Sequence, residues 1–418
     1  MNTTPQSHTT FITGGTGFIA FELLKTILSN EVSGNLYLLI RANKNHNAKQ
    51  RFRKLLAELT GKYGIQNDLD LTSRIFLVEG DITLERFGMS AEDYEQLAKK
   101  INRIYHIAAS VHLTGVIEKM LSINVAGTKT VLNFALKAQK NGGLDLMNYV
   151  STAYVAGKRA GLIYENELDQ KQEFNNNYEH AKYQAESLVQ TYAKKLPVAI
   201  YRPSIVMGHS ETGWTKTFNV LYEPMKMVYF GLLNFAPADY NSIVDIVPVD
   251  YVAKGIYHIS TQKTKAISNT FHLTIGKGRS KSFPIIIKKI NQQLFDWADY
   301  YKVENPKKMP KLIRPSLFKY LAKCMAIVSS KKRKRKIKQM LTYTDYVAIT
   351  KEFDASSAEA ILKPIGIVCP TVEEYIDPIC RYAVKKHFGK SDKPEHVYTK
   401  QTKNLAAKKL KRANASYS

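Results

Sequence analysis

Between Thr10 and Tyr201 the chain alternates short, unbroken apolar runs with longer stretches whose apolar residues recur at helical spacing. The runs are Thr10 to Ile12, Leu36 to Ile40, Ile75 to Val78, Ile104 to Ile107, Leu146 to Val150 and Val198 to Tyr201. A strand with one wet face alternates apolar and polar side chains, whereas a strand covered on both faces reads as a continuous apolar run, as in parallel sheets. The helical period is carried by Phe18, Phe21, Leu24, Ile27 and Leu28, and then by Asn47 to Tyr63, Ala91 to Lys100, Val116 to Gln139 and Tyr178 to Lys195. Strand and helix in alternation predict an α/β fold with a doubly wound parallel sheet. Arg41 to Arg74 is long for one connection, and its strongest pattern is a basic helix around Ala48 to Arg53. It is expected as an insertion on the rim of the sheet.

Beyond Arg202 the alternation blurs, because Pro203, Pro224, Pro237 and Pro248 interrupt apolar and aromatic stretches. A smaller lobe that shapes a substrate site is expected there. Residues 312 to 341 set Leu317, Leu321, Cys324 and Val328 at helical spacing beside Lys319 and Lys323, then run into Lys331-Lys332-Arg333-Lys334-Arg335-Lys336. This is a basic amphipathic stretch. From about Lys390 the sequence is polar and basic, and disorder is expected. The division predicted is a sheet domain over 1–260 that takes in part of the lobe from about 203, a helical C-terminal region over 261–390, and a tail over 391–418.

Charge sharpens this picture. Of the 25 net positive charges, 17 fall from Lys302 onward, where 27 Lys and Arg face 10 Asp and Glu. Cys324, Cys369 and Cys380 have neither Cys-x-x-Cys spacing nor a nearby His cluster, so no zinc site or disulfide framework is indicated and a reducing compartment is expected. Met1 to Thr9 is polar and has no signal-peptide pattern. The longest apolar run, Met227 to Ala238, is broken by Asn234 and Pro237, against the roughly 20 residues a bilayer span needs. A cytoplasmic protein is expected, with peripheral membrane contact through its basic region.

Candidate chemistry begins at Thr13-Gly14-Gly15-Thr16-Gly17-Phe18-Ile19-Ala20, which leaves a strand and opens a helix. Gly14 suits the tight bend, Gly17 a close approach of backbone to a pyrophosphate, and Ala20 close helix–strand packing, while the helix N-terminus offers amide donors to the anion. The pattern, set between a strand and a helix, reads as the phosphate cradle of a Rossmann dinucleotide site, the alternative being a structural turn. At the end of the second run stands Arg41, where an NAD site usually has a carboxylate; a guanidinium there suits the 2′-phosphate of NADP(H), the alternative being a solvated surface arginine. Asp81 ends the third run on the side expected for the adenine, with an exposed loop aspartate as the alternative. Tyr178 and Lys182 lie four apart and share one side of a helix. A phenol titrates near 10, and a neighbouring ammonium would favour its phenolate and ease proton transfer. Val150-Ser151-Thr152-Ala153, at the end of a buried strand, adds a hydroxyl that can bind a carbonyl oxygen.

With these residues the chain resembles the extended short-chain dehydrogenases/reductases, the Asn-Val-x-Gly-Thr run at Asn124 to Thr128 included. The resemblance implies a catalytic set of Thr152, Tyr178 and Lys182, with Ser151 as second candidate for the hydroxyl. It implies that Thr16, Phe18, Ile19, Ile82, Ala108 and Pro203 also line the cofactor, and that Asn124 is either a structural or a proton-relay residue. Within that superfamily, Leu38 to Ala42 with the basic helix after it, His106 to Val111, Val150 to Val155, and Tyr201 to Val206 leading to Thr212-Gly213 are similar to fatty acyl-CoA reductases and the thioester-reductase domains of carboxylic acid reductases. The likeness covers roughly residues 10 to 260 and fades past Lys302, apart from a faint likeness at Phe353 to Ser356.

That family implies NADPH-dependent reduction of a fatty acyl thioester, carried on CoA or an acyl carrier protein, to an aldehyde and then, if a second hydride follows, an alcohol. The same catalytic set also serves reductases and epimerases of other carbonyls, such as sterols, aldehydes and nucleotide sugars. The stretch Leu221 to Phe235 can line an acyl channel or be ordinary core of the lobe. The basic region can meet an anionic membrane surface, contact CoA phosphates or an acidic carrier, or form a solvated face. Nucleic acid is not an expected partner, since no recognition fold or interleaved aromatic stacking surrounds Lys331 to Lys336.

Overall fold

Seven parallel strands make the central sheet of the computed structural model: β1 (Thr10–Thr13), β2 (Leu36–Ile40), β3 (Ile75–Glu79), β4 (Arg103–His106), β5 (Leu146–Val150), β6 (Val198–Pro203) and β7 (Thr270–Leu273). Their spatial order is β7-β6-β5-β4-β1-β2-β3, so the winding reverses between β1 and β4. The structure describes residues 8–389 except 63, 66–71, 114, 233, 240, 304–308 and 328–329, and describes only the backbone of 331–333, 335, 336, 338, 339 and 342. The tail expected to be disordered over 391–418 lies outside the described residues.

Helices cover both faces of the sheet, which is why its strands are mostly apolar. On one face α1 (Phe18–Asn30) packs with Phe21, Leu24 and Ile27 against Val252, Ile256 and Ile259 of a later helix, Val249–Thr261. The basic helix α2 (Ala48–Leu59) begins at Asn47, whose side chain accepts from Gln50 N while Gln50 returns a bond to Asn47 N, a reciprocal cap. On the other face α3 (Ala91–Lys100), α4 (Gly127–Gly142) and α5 (Asn177–Tyr192) bury Leu97, Val131, Leu132, Ala135, Ala185 and Val189 against Phe11, Ile104, Met147 and Ile200. Each fully buried Leu, Ile, Val or Phe contributes about 1.5–3 kcal/mol, so the two layers hold the sheet's C-terminal edge rigid.

The seventh strand lies past position 260, where the sequence placed the boundary of the sheet domain. Its run Thr270-Phe271-His272-Leu273 is interrupted by a histidine that looks polar in sequence. His272 is nonetheless fully buried, bonded through its ring to Arg202 Nη1 at 3.2 Å and to the Asp354 carbonyl at 2.7 Å.

The lobe is helical. α6 (Val249–Thr261), the late helix already met on the sheet, is followed by α7 (Phe283–Tyr300), the hairpin α8 (Pro315–Ile327) and α9 (Lys331–Ala348), and α10 (Val372–Lys385). Ile286, Ile290 and Leu294 of α7 meet Ile376, Ile379 and Ala383 of α10. Short parallel ladders tie Ile205–Met207 to Ile246–Pro248 and Phe235–Pro237 to Lys311–Ile313 within the lobe, and Gly161–Ile163 to Lys351–Phe353 between the sheet domain and the lobe. The basic hairpin is therefore built into the fold, closed by Phe318, Ala322 and Ile337 and by a Lys319–Asp345 ion pair at 2.6 Å.

Candidate active site

At the C-terminal ends of β1, β2, β4, β5 and β6 a cleft of about 550 Å³ opens over the point where the winding reverses, the place where such sheets bind ligands. Gly14 turns the chain with φ +73°, and a Cβ there would stand 2.7 Å from Ala108 N. A Cβ on Gly17 would stand 3.0 Å from the Gly14 carbonyl. Gly17 caps α1 with no side-chain bond, so the first-turn amides keep their donors for another acceptor. Gly14, Thr16, Gly17, Phe18, Ile19, Ile82, Ala108 and Pro203 all line the cleft. An amide-lined turn with no room for a side chain fits a dinucleotide pyrophosphate. The turn is fixed from below by His106, whose ring nitrogens bond Thr13 Oγ1 at 2.7 Å and Thr128 Oγ1 at 2.9 Å; burial, aided by the Lys182 charge, pushes its pKa down to about 3, so it is a neutral strut.

Arg41 lines the same cleft and pairs with Asp81 Oδ2 at 3.2 Å. Burial works to raise the Asp81 pKa, but bonds from Thr83 and Arg41 outweigh it and hold the carboxyl below its ordinary range. Sequence reasoning missed Arg51. It projects from α2 into the cleft wall and donates to Thr16 Oγ1 and to the Arg41 carbonyl, both at 2.6 Å. Burial and the nearby Arg41 charge lower its pKa, so an anion bound beside Arg51 would favour its charged form. The available signal was the basic helix following Arg41 with its Asn47/Gln50 cap.

Thr152 and Tyr178 both line the cleft wall, the Thr152 hydroxyl close enough to favour the ionised phenol while itself donating to the Pro203 carbonyl at 3.4 Å. Thr152 follows β5, and Tyr178 sits in the first turn of α5, which Asn176 caps by accepting from Glu179 N at 3.1 Å. Burial raises the Tyr178 hydroxyl to about 12, against the opposing effect of Thr152, so Tyr178 is a protonated donor across the neutral range. Lys182 does not stand where the sequence suggested. It is buried and outside the cleft lining, and its ammonium donates to Tyr149 Oη and the Val150 carbonyl, both at 2.8 Å. Burial brings its pKa down to about 7, with Glu186 opposing.

The two remaining candidates separate by their partners. Ser151 lines the cleft, but its hydroxyl is spent on Glu186, which also pairs with Arg202 in a fully buried cluster. Thr152 is thus the hydroxyl in contact with Tyr178. Asn124 lies in a turn of π-helix off the cleft lining, where its carboxamide accepts from Ser110 N at 2.7 Å and donates to Ser110 O at 3.1 Å. It holds the loop after β4 in place.

Beside the cleft lies an apolar cavity whose wall includes Met225, Val228, Phe283, Ile290, Phe318 and Val347. Ile205, Val220 and Tyr346 line both spaces. Tyr346 comes from α9, packs edge-on to Tyr154 with ring centroids 4.9 Å apart, and accepts from Asn176 Nδ2 at 3.0 Å. The C-terminal hairpin therefore touches the cap of the helix that carries Tyr178.

A parallel sheet with a glycine turn at its switch point and Thr152 against Tyr178 defines an extended short-chain dehydrogenase/reductase. Within that class the chain belongs to the NAD-binding family described as male sterility protein, whose model matches residues 12–256. It is similar to fatty acyl-CoA reductase 8 of Arabidopsis thaliana, 27% identical over 354 residues covering 69% of this chain and 70% of the relative. It is also similar to the fatty acyl-CoA reductase wat of Drosophila melanogaster, 29% identical over 278 residues covering 59% and 52%. The chain spans 63% and 61% of the lengths of two further Drosophila proteins named as candidate fatty acyl-CoA reductases. Among solved structures, the terminal R domain of the myxalamid pathway superposes with a TM-score of 0.72 at 24% identity, covering 94% of each chain.

Proposed function

We propose that this protein is an NADPH-dependent reductase of acyl thioesters, on CoA or an acyl carrier protein, giving an aldehyde. The observation that carries this reading is the junction of the cleft holding Thr152 and Tyr178 with an apolar cavity, through Ile205, Val220 and Tyr346. A chain seated in the cavity would bring its thioester to those hydroxyls, and the glycine turn would hold a nicotinamide dinucleotide, whose chemistry when bound is hydride donation. Arg41 and Arg51 would hold its 2′-phosphate.

Hydride addition to the thioester carbon places negative charge on the carbonyl oxygen. Tyr178 is the proton donor for that oxygen and Thr152 a second hydrogen-bond donor, the arrangement that stabilises charge developing in the transition state. The hemithioacetal then breaks its C–S bond, releasing aldehyde and thiol. Lys182, bonded to Tyr149 and Val150, fixes the end of β5 from which Thr152 projects.

A partner surface accompanies this reading. Leu317, Tyr320, Met325 and Ile327 are exposed on α8, next to the basic run that opens α9, and among the described residues no helix is long and apolar enough to cross a membrane. We propose that this face rests on an anionic membrane surface.

The deciding experiment follows NADPH oxidation with acyl-CoA, acyl-carrier-protein, aldehyde, sterol and sugar-nucleotide substrates, with products identified by mass spectrometry. Thioester-dependent turnover to aldehyde is expected. Turnover confined to sugar nucleotides or sterols would replace the proposal.

A further inference from the structure

Asn291 sets an amide in a cavity wall otherwise made of apolar side chains and the rings of Tyr343 and Tyr346. Asn291 of α7 is 1% exposed, lines the cavity, and its Oδ1 is buried with no hydrogen-bond partner. Its neighbours in the wall, Phe283, Ile287, Ile290 and Val347, bring only hydrocarbon side chains. A buried amide oxygen without a donor costs free energy that an apolar residue of similar size avoids. An occupant of the cavity that carries a hydrogen-bond donor would supply the one this oxygen lacks.

We infer that the acyl chain held here carries a hydroxyl group along its length, and that Asn291 selects for it. The inference rests on the thioester-reductase reading for the identity of the occupant. A hydroxyl suits the site better than a donor-only group, since it donates to the carboxamide oxygen and accepts from its NH₂. An unsubstituted alkyl chain packs against the same wall but leaves Oδ1 unpaired. Sites built around a polar group reject the analogue that lacks its partner far more strongly than apolar walls reject an added group.

Equilibrium binding of saturated fatty acids of one length, unsubstituted or with a single hydroxyl moved along the chain, tests this in the full-length protein. One hydroxyl position should bind at least about tenfold tighter than the plain chain, and the preference should vanish in Asn291→Leu with the plain chain bound as well or better. Asn291→Met serves as a second apolar replacement should the first fold poorly. A wild-type protein with no preferred position, or a preference that survives both substitutions, would overturn the inference. The CoA esters of the same chains separate the two readings: a binding preference without thioester turnover upholds Asn291 and fails the reductase reading alone.

Discussion

Lys182 donates to Tyr149 Oη at 2.8 Å, its Nζ 4.4 Å from the centre of that ring, with a second bond to the Val150 carbonyl. It shares a helix face with Tyr178 and yet is anchored to the strand behind it. Its buried amine, with a pKa near 7, is more sensitive to pH than any surface lysine.

This relationship predicts how stability depends on pH. An unfolded lysine titrates near 10.4, so between pH 7 and 10 the unfolded chain binds a proton that the folded chain refuses, and stability rises with pH. The penalty is complete below pH 7 and disappears above pH 10. In cofactor-free protein, the stability of wild type minus that of Lys182→Met should grow by about 3–5 kcal/mol as pH rises from 7 to 10. Urea midpoints that keep a constant difference would show that Lys182 stays charged.

Tyr178 is the expected proton donor. Tyr178→Phe should bind NADPH as wild type does, by fluorescence titration, while turnover falls by about 10²–10⁴-fold. A variant that retains its turnover would remove Tyr178 from the mechanism.

Thr152 and Ser151 should fail differently. Thr152→Val should lower kcat with little change in thermal midpoint, because its hydroxyl meets Tyr178 at the cleft. Ser151→Ala removes a bond to buried Glu186 and should cost about 1–3 kcal/mol of stability. Equal kinetic losses at unchanged stability would make Ser151 a catalytic hydroxyl as well.

Arg41 and Arg51 should decide the choice between cofactors. Arg41→Ala and Arg51→Ala should each weaken NADPH at least about tenfold more than NADH, since a charge-assisted bond to a 2′-phosphate is lost. Equal effects on both cofactors would return Arg41 to the surface.

The exposed face of α8 should govern attachment to lipid. Leu317→Glu with Ile327→Glu should release the protein from anionic vesicles in a cosedimentation assay and leave reduction of a soluble thioester intact. Deleting everything from about position 312 is the poorer experiment, because α9 supplies Tyr346 to both the cleft and the apolar cavity. Unchanged cosedimentation would rule out this face as the contact.

Local spacing alone determined the first six strands and the glycine turn, while the pairing of Tyr178 with a hydroxyl at a strand end came from the resemblance to a known family. Continuous apolar runs and a Gly-x-x-Gly bend reflect constraints that act within a few residues, so they are visible one segment at a time. Tertiary structure decided what depends on partners distant in sequence. His272 became a buried strand residue because Arg202 and Asp354 reach it, and Ser151 was withdrawn from the substrate by Glu186. Arg51 entered the cleft because the capped α2 swings it onto Thr16. The basic C-terminal stretch, an amphipathic run in sequence, became a wall of the site because its apolar side packs on the lobe and carries Tyr346 to Tyr154 and Asn176. Burial and hydrogen-bond pairing across 35 to 170 residues of chain are properties of the packed molecule, and no local pattern encodes them.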